Sequence, residues 1–524
     1  MTRKKLPIGI QNFREIREDN CYYVDKTAFA LRMIKEGKAY FLSRPRRFGK
    51  SLFLDTLGEL LAGNEPLFRG LYCHDKWDWN TQYPVIRISF AEGVMASRAE
   101  LDARIHRILA ENESRFGVSQ GEGGIPDRFI ALIQSAEAKF GQRAVVLVDE
   151  YDKPILDNLT SPDLALEMRD GLRNLYSVIK GQDAHIKFAM LTGVSKFSKV
   201  NIFSGLNNLS DITLDAEYSN ICGYTEADID AVFALELEGL DRDEIRHWYN
   251  GYNWRGEAVY NPFDLLLLFQ KREFRPFWFE TGTPTFLVDV LTERQVYLPA
   301  LLKTEISSRL ISAFEVGAIS TEALMFQSGY LTIAREKNQG GNIMFTLGYP
   351  NREVRGALTG DILGRWVDNP LQAEQSSSAL YDALEANDFA RIREIFFSLY
   401  ASIPHDWYRK NDIDRFEGYY ASVFYASFAA FGLDIVPEDV SNQGKLDMAI
   451  KFNNQIYLFE FKVVEDAAEG KALSQIKEKK YADKYRALNQ PIHLIGVEFS
   501  KKERNVVGFE VESSENISFS RGKD

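Results

Sequence analysis

Cysteine is scarce. The 524 residues hold three, Cys21, Cys73 and Cys222, far apart and without a CxxC pair, which excludes a disulfide framework and a zinc knuckle. The adjacent Cys73 and His74 have no further ligands nearby in sequence and read as structural. Free thiols suit a reducing compartment, so the cytoplasm is the expected location. Long apolar runs are also missing. None approaches the roughly 18 residues of a membrane span, and the basic start Met1–Ile10 lacks the apolar stretch of a leader peptide. Positive charge is in deficit, with a formal net charge of -12. That argues against indiscriminate coating of nucleic acid, yet it leaves room for a locally basic groove.

What is present describes a folded globular chain: 45% hydrophobic and 13% aromatic residues. The length exceeds one ordinary core and predicts three or four domains. The densest chemistry lies in Lys38–Leu52. An apolar strand (Ala39 to Leu42) gives way to a short loop, then Gly49-Lys50-Ser51, then a helical pattern through Leu61. This is the layout of a phosphate-binding loop. Backbone N–H groups and the helix dipole hold phosphate oxygens, the lysine reaches the outer phosphates, and the serine ligates Mg²⁺. One glycine is absent: the pattern G-x-x-x-x-G-K-[ST] begins where Arg44 stands. A bare strand-to-helix turn that needs glycine remains the alternative for this stretch alone.

Further along, Pro84–Phe90 reads as a strand and Ser97–Phe116 as an amphipathic helix. Ala144–Val148 is an uninterrupted apolar run, as in a parallel sheet buried on both faces, and it ends in Asp149-Glu150-Tyr151-Asp152. Acids at the carboxyl edge of a strand sit where α/β sheets bind ligands. Asp149 is the expected holder of Mg²⁺ through water, and Glu150 is expected to polarise an attacking water. The strand Ile186–Thr192 leads into Gly193–Lys199, and Thr192 or Ser195 is placed to contact a γ-phosphate or that water. Asp25 reads as a helix cap. The segment 6–37 reads either as a flap over the base or as a packing arm. Residues 216–275 read as helical (Thr225–Leu235, Asp241–Tyr249, Pro262–Lys271). Two strand-like runs follow, Tyr330–Arg335 and Gly341–Leu347. The polar stretch Gln372–Ser378 marks a boundary or surface turn, before a helix over Ser378–Tyr400.

These motifs carry a resemblance. Leu6-Pro7-Ile8-Gly9-Ile10, Tyr23-Val24-Asp25-Lys26-Thr27, Arg44-Pro45-Arg46-Arg47-Phe48-Gly49-Lys50-Ser51, Val148–Asp152 and Leu191–Phe197 look like those of bacterial AAA-ATPase-like proteins. Trp248–Tyr252, Tyr260–Phe263, Glu280–Thr285 and Gln327–Leu331 extend the likeness over nearly the whole chain. The Arg-Pro-Arg-Arg-Phe-Gly-Lys-Ser loop matches the family's own form, so Arg44 departs from the general pattern only. The resemblance implies an α/β P-loop NTPase domain with a parallel sheet (1–215), a helical lid (216–275) and a C-terminal restriction-endonuclease-like α/β domain (371–524). Between them the mix of helices and two strand-like runs reads as a winged-helix-like connector (276–370), which binds DNA or packs domains, and the lack of a basic recognition helix favours packing. ATP would then be held by Arg44 to Leu52 with Asp149, Thr192 and Ser195, and Mg²⁺ by Ser51 and Asp149. Arg44 or Arg46 would add charge at the phosphates.

The C-terminal part carries a second constellation. Gly444–Lys451 and Ile456–Val463 are two apolar strands around Asn453-Asn454, which reads as a β-hairpin. Asp447 lies thirteen positions before Glu460, so the hairpin brings them together, and Glu460 and Lys462 share a face. Two carboxylates can hold Mg²⁺ while the ammonium activates a water and stabilises developing charge. A buried Glu–Lys ion pair is the alternative. This is the D…ExK arrangement of PD-(D/E)XK nucleases, although no proline precedes Asp447. Glu417, on a helix from Phe416 to Phe431, resembles that superfamily's helix glutamate, an auxiliary metal ligand or base. Gln475, on a helix from Ala472 to Leu488, resembles a polar residue placed near such sites. Lys471, Lys477, Lys479, Lys480 and Lys484, interleaved with Tyr481 and Tyr485, are candidates for phosphate-backbone contact, with a solvated lysine face as the alternative favoured for any one of them. The reading is an ATP-binding, ATP-hydrolysing protein coupled to a Mg²⁺-dependent nuclease on DNA or RNA. Two rivals stay open: a nucleotide-dependent switch whose last domain binds nucleic acid or protein without cutting, and a nuclease whose ATP is structural. Oligomeric state stays open as well.

Overall fold

The computed structural model describes residues 2–196, 209–280, 298–302, 304–311, 320–367, 370–403 and 417–514, with Leu287, Leu291 and Arg294. Phe197–Lys199, the Thr281–Thr285 motif and Phe416 lie outside these residues. The chain forms two compact units, Met1–Thr281 with Glu305–Asn351, and Gly282–Thr304 with Arg352–Asp524.

The first unit is built on a five-stranded sheet: β1 (Ala39–Ser43), β2 (Val85–Ser89), β3 (Ala144–Asp149), β4 (Ile186–Gly193) and β5 (Ser210–Asp211). Every pairing is parallel and the order is β2-β3-β4-β1-β5. The apolar run of β3 is buried on both faces because helices cover both. Ala39, Phe41, Ile86, Ile88, Val146, Val148, Ala189 and Leu191 face the helices Arg98–Phe116, Ile125–Phe140 and Pro162–Gly181. The helix Lys50–Leu61 lies against β3 and β4. Ser97 caps the first of these helices through Glu100 N–H, as its position before the apolar period predicts.

Thr225 and Asp241 likewise cap Glu226–Val232 and Arg242–Tyr249, which pack with Pro262–Lys271 around Ile229, Phe233, Ile245, Tyr249, Leu265 and Phe269. Tyr22 and Val24 join this core, with Leu6 and Ile8 against it, while Gln11 and Asn12 of the same N-terminal segment line a cavity beside Ser51. Asp25 accepts from Thr27 N–H and hydroxyl and from Tyr72 N–H. The two strands expected after 330 are β7 (Thr332–Gln339) and β8 (Asn342–Gly348), joined by an unforeseen β6 (Glu305–Ser307) into an antiparallel sheet.

The second unit carries the mixed sheet β13-β12-β11-β10-β9, from β9 (Asp434–Ser441), β10 (Gly444–Phe452), β11 (Gln455–Val464), β12 (Ile492–Ser500) and β13 (Asn505–Ser514). Only β11 and β12 run parallel. Asn453 and Asn454 both have positive φ, the conformation that the tight β10–β11 turn requires.

Three expectations fail here. The stretch Gln372–Ser378 is not a boundary but the body of a helix, Pro370–Glu385. Ala373, Ser377, Leu380 and Leu384 recur at helical spacing and are buried, because serine is small enough to face the core. The helix expected over Ser378–Tyr400 is broken at Asn387, which has φ 55°, and resumes as Phe389–Ala401. The helix expected to Leu488 ends at Glu478, and Tyr481–Leu488 is a 3₁₀ segment entered through Lys480 at φ 48°.

Candidate functional site

The phosphate loop leaves β1 at the carboxyl edge of the first sheet and ends at Gly49, whose φ of 90° fits glycine. The helix then begins with Lys50, Ser51 and Leu52. Lys50 is buried, and its Nζ donates to the carbonyls of Arg44 (2.9 Å) and Pro45 (2.8 Å). Burial pulls its pKa down, and the charge of Asp149 opposes that. The ammonium is thus held on two neutral carbonyls, which an anionic phosphate would outcompete.

Arg44 does something other than expected. Its guanidinium is 1% exposed and donates to the carbonyls of Ser43, Thr213 and Tyr218. It also stacks 4.3 Å from the Trp254 ring. Burial lowers its pKa to about 10. The side chain replaces the missing glycine's flexibility with anchorage, and it does not face the loop mouth. Arg46 and Arg47 are exposed, and Arg47 lies 3.9 Å over the Phe263 ring. Phe48 is buried edge-on against Tyr252 and Trp254, and Pro45 abuts Gly329.

Asp149 ends β3, one strand away from β1 across β4. Its Oδ1 accepts from Thr192 Oγ1 (2.7 Å) and from Glu150 N–H (3.1 Å). Glu150 sits in a strained turn at φ 51°. Burial and the Asp149 charge push its carboxyl up, opposed by Lys50 and Arg46. Ser195 Oγ donates to Asp152 Oδ2 (2.6 Å), whose carboxylate also takes the N–H groups of Val194 and Ser195. Thr192 and Ser195 are therefore engaged with acids, each orienting a strand tip. Ser51 and Asp149 border one cavity of about 270 Å³ with Asn12, Asp55, Arg87 and Ser89. The donor set suits a hydrated Mg²⁺ and a polyphosphate: hydroxyl, carboxylate and a buried ammonium at the start of a helix.

In the second unit the β10–β11 ladder runs from Phe452↔Gln455 to Met448↔Phe459. Beyond it side chains take over. Asp447 Oδ2 accepts from Phe461 N–H (2.7 Å), and Glu460 Oε2 lies 3.4 Å from Asp447 N–H. Glu460 is 1% exposed. Lys462 Nζ bridges Glu460 Oε1 (3.3 Å) and Glu417 Oε1 (3.4 Å), at the first turn of the helix Glu417–Ala429. Gln475 Nε2 donates to Glu460 Oε1. Five residues from four elements converge. Burial raises both carboxyl pKa values, and the neighbouring Asp447 charge pushes Glu460 higher still.

Such a pair binds a cation by giving up its proton. Among the described residues no three His, Cys, Asp or Glu side chains are grouped to cage an ion alone. Two carboxylates plus water and phosphate oxygens is the coordination Mg²⁺ favours, so the residues fit it.

Sequence reasoning missed Asp152, Glu438 and Glu498. Glu438 sits at φ 49° in β9 between the pairs Asp439↔Leu446 and Pro437↔Met448, and its charge adds to Asp447's upward shift. Its signal was an acid directly after a proline on a strand. The lysine–tyrosine face did not form as expected. Tyr481 and Tyr485 are buried, donating to Lys445 O and Asp439 Oδ2. Lys471, Lys477 and Lys484 pair with Glu469, Glu512 and Asp439. Lys479 and Lys480 remain exposed.

Comparison with known proteins places both parts of the chain in known families. The family model described as "Predicted AAA-ATPase" matches residues 7–203. That of the PD-(D/E)XK nuclease superfamily matches residues 415–509. A protein of Azotobacter chroococcum mcd 1, described as "Uncharacterized protein in vnfD 5'region", is 63% identical over 514 residues, 98% of this chain and 100% of its own length. No described helix is long and apolar enough to cross a membrane. With loop, sheet order and carboxylate hairpin all in place, the chain belongs to the predicted AAA-ATPase family and ends in a domain of the PD-(D/E)XK nuclease superfamily.

Proposed function

We propose that the protein hydrolyses ATP at the first site and cleaves nucleic-acid phosphodiesters at the second. Convergence of Glu417, Asp447, Glu460, Lys462 and Gln475 at the open end of the hairpin carries this reading. A Glu–Lys pair kept only for packing needs neither the second, half-buried acid nor the glutamine. Bound there, Mg²⁺ would polarise a phosphoryl oxygen and acidify a water. Asp447 and Glu460 hold the ion through their carboxylate oxygens. Gln475 fixes the rotation of Glu460. Lys462 offers its ammonium to the charge that develops on the phosphate, and Glu417 holds that ammonium and accepts a proton from water.

At the first site Lys50 exchanges the carbonyls of Arg44 and Pro45 for phosphate oxygens. Asp149, oriented by Thr192, and Ser51 would hold Mg²⁺, and Glu150 would polarise the attacking water. ATP turnover then gates or moves the nucleic acid. DNA is the first substrate to test, with RNA beside it, in the cytoplasm.

The test is cleavage of single- and double-stranded DNA and RNA by the full chain, with and without ATP, in Mg²⁺ or Mn²⁺. Cleavage should appear and vanish in Glu460→Ala and Asp447→Ala. Tight binding without cleavage under every condition sinks the nuclease reading and leaves the non-cutting switch. Lys50→Ala and Asp149→Ala should each lower ATP turnover by roughly 10²–10³-fold. Turnover that survives both removes this ATPase site.

A further inference from the structure

We propose that Glu498, which belongs to none of the motifs, is a positioning residue of the nuclease site: it fastens the helix that delivers Gln475 to Glu460. The inference rests on reading that site as a metal-dependent one. Glu498 lies on β12 beside Lys462 of β11 and is 2% exposed. Its carboxylate accepts from the N–H groups of Glu469, Gly470 (3.1 Å), Lys471 (2.6 Å) and Ala472 (3.2 Å). The last three are orphan donors at the start of the helix Lys471–Glu478, and the first precedes its N-cap.

That helix has no cap of its own, because Gly470 at the N-cap position has no side chain. The cap comes from another strand, so it ties helix to sheet. Two glycines clear the way. A Cβ on Gly496 would collide with the backbone of Leu473, and one on Gly508, opposite Glu498, would sit 3.1 Å from Ala468 Cβ and Glu498 Cβ. The helix therefore rests on bare backbone, and Gln475 emerges one turn later with its amide on Glu460. With both oxygens engaged by amides, Glu498 acts through Gln475 and not on the metal.

A helix cap kept for stability alone would leave the metal affinity of the folded protein unchanged. The experiment is Mn²⁺ titration of the full chain, read by electron paramagnetic resonance, for wild type, Glu498→Gln, Gln475→Ala and the double variant. Glu498→Gln should weaken Mn²⁺ binding about 10–100-fold, as does loss of other residues that orient metal ligands. Gln475→Ala should do the same, and the double variant no worse than either. Amide exchange at 469–472 of the metal-free protein should rise in Glu498→Gln. If that variant does not fold, Glu498→Asp, which keeps the charge at shorter reach, should show an intermediate loss. Wild-type Mn²⁺ affinity in a folded Glu498 variant, or losses that multiply in the double variant, overturns the proposal. A wild type that binds no Mn²⁺ overturns the metal-site reading and this inference with it.

Discussion

Arg44 and Arg46 are two residues apart and do opposite things. Arg44 is internal scaffolding, so Arg44→Ala strands the carbonyls of Thr213 and Tyr218 and removes the Trp254 stack. Its expected cost is about 3 kcal/mol of stability, seen in a denaturant midpoint. Arg46 is exposed and within electrostatic reach of Glu150. Arg46→Ala should lower ATP turnover and leave the midpoint unmoved.

At the second site, burial lifts Asp447 to about 6 and Glu460 to about 8 in the metal-free protein. Both folded values exceed the unfolded ones, so the pair's contribution to stability is present in acid and is lost as pH rises through that range. Metal affinity runs the other way. Mn²⁺ binding should strengthen from pH 6 to 8 and level off above, and a flat profile contradicts the assignment.

Asp447 and Glu460 were legible because a hairpin turn and a period of two fix which side chains meet. Asp152 and Glu498 were not, since their partners (Ser195 N–H, and the amides 469–472) are backbone groups brought in by separate segments. The sequence marks an acid but not the amides it will collect.

Between residues and units lies the grip of the segment 223–278 on the loop. Phe48 packs edge-on against the stacked Tyr252 and Trp254 rings, and its carbonyl accepts from Gly223 N–H. Trp278 Nε1 donates to Arg46 O (3.3 Å). A loop without its first glycine is held here by aromatic groups from beyond the sheet. Phe48→Ala should cost about 3–5 kcal/mol and weaken ATP binding as well, measured by denaturation and by calorimetric titration.

The elements themselves were easier to read than their ends. Buried parallel strands announce themselves as apolar runs, and Ser97, Thr225 and Asp241 cap as their positions indicate. The helix Pro370–Glu385 hid because its core-facing stripe uses alanine and serine where leucine is usual. The break at Lys480 hid because a lysine at positive φ carries no composition signal.

At the scale of the molecule there are two compact units, and each carries one of the two candidate sites. Calorimetry should resolve two thermal transitions. ATP at about a hundred times its dissociation constant should stabilise the first unit alone by about 2.7 kcal/mol. Mn²⁺ should raise the other. A single transition shifted by both ligands argues against separate cores.

The path of the chain adds a consequence. Gly282–Thr304 belongs to the second unit although both its flanks belong to the first, and its helix Leu298–Leu301 packs against Glu417–Ala429. No single cut therefore yields either unit whole. A fragment starting at Arg352 would lack the apolar cover that Leu298 and Leu301 provide and should aggregate when expressed alone. The two units are interleaved along the sequence, so simple fusion or fission at one point would not exchange one of them for a homologue.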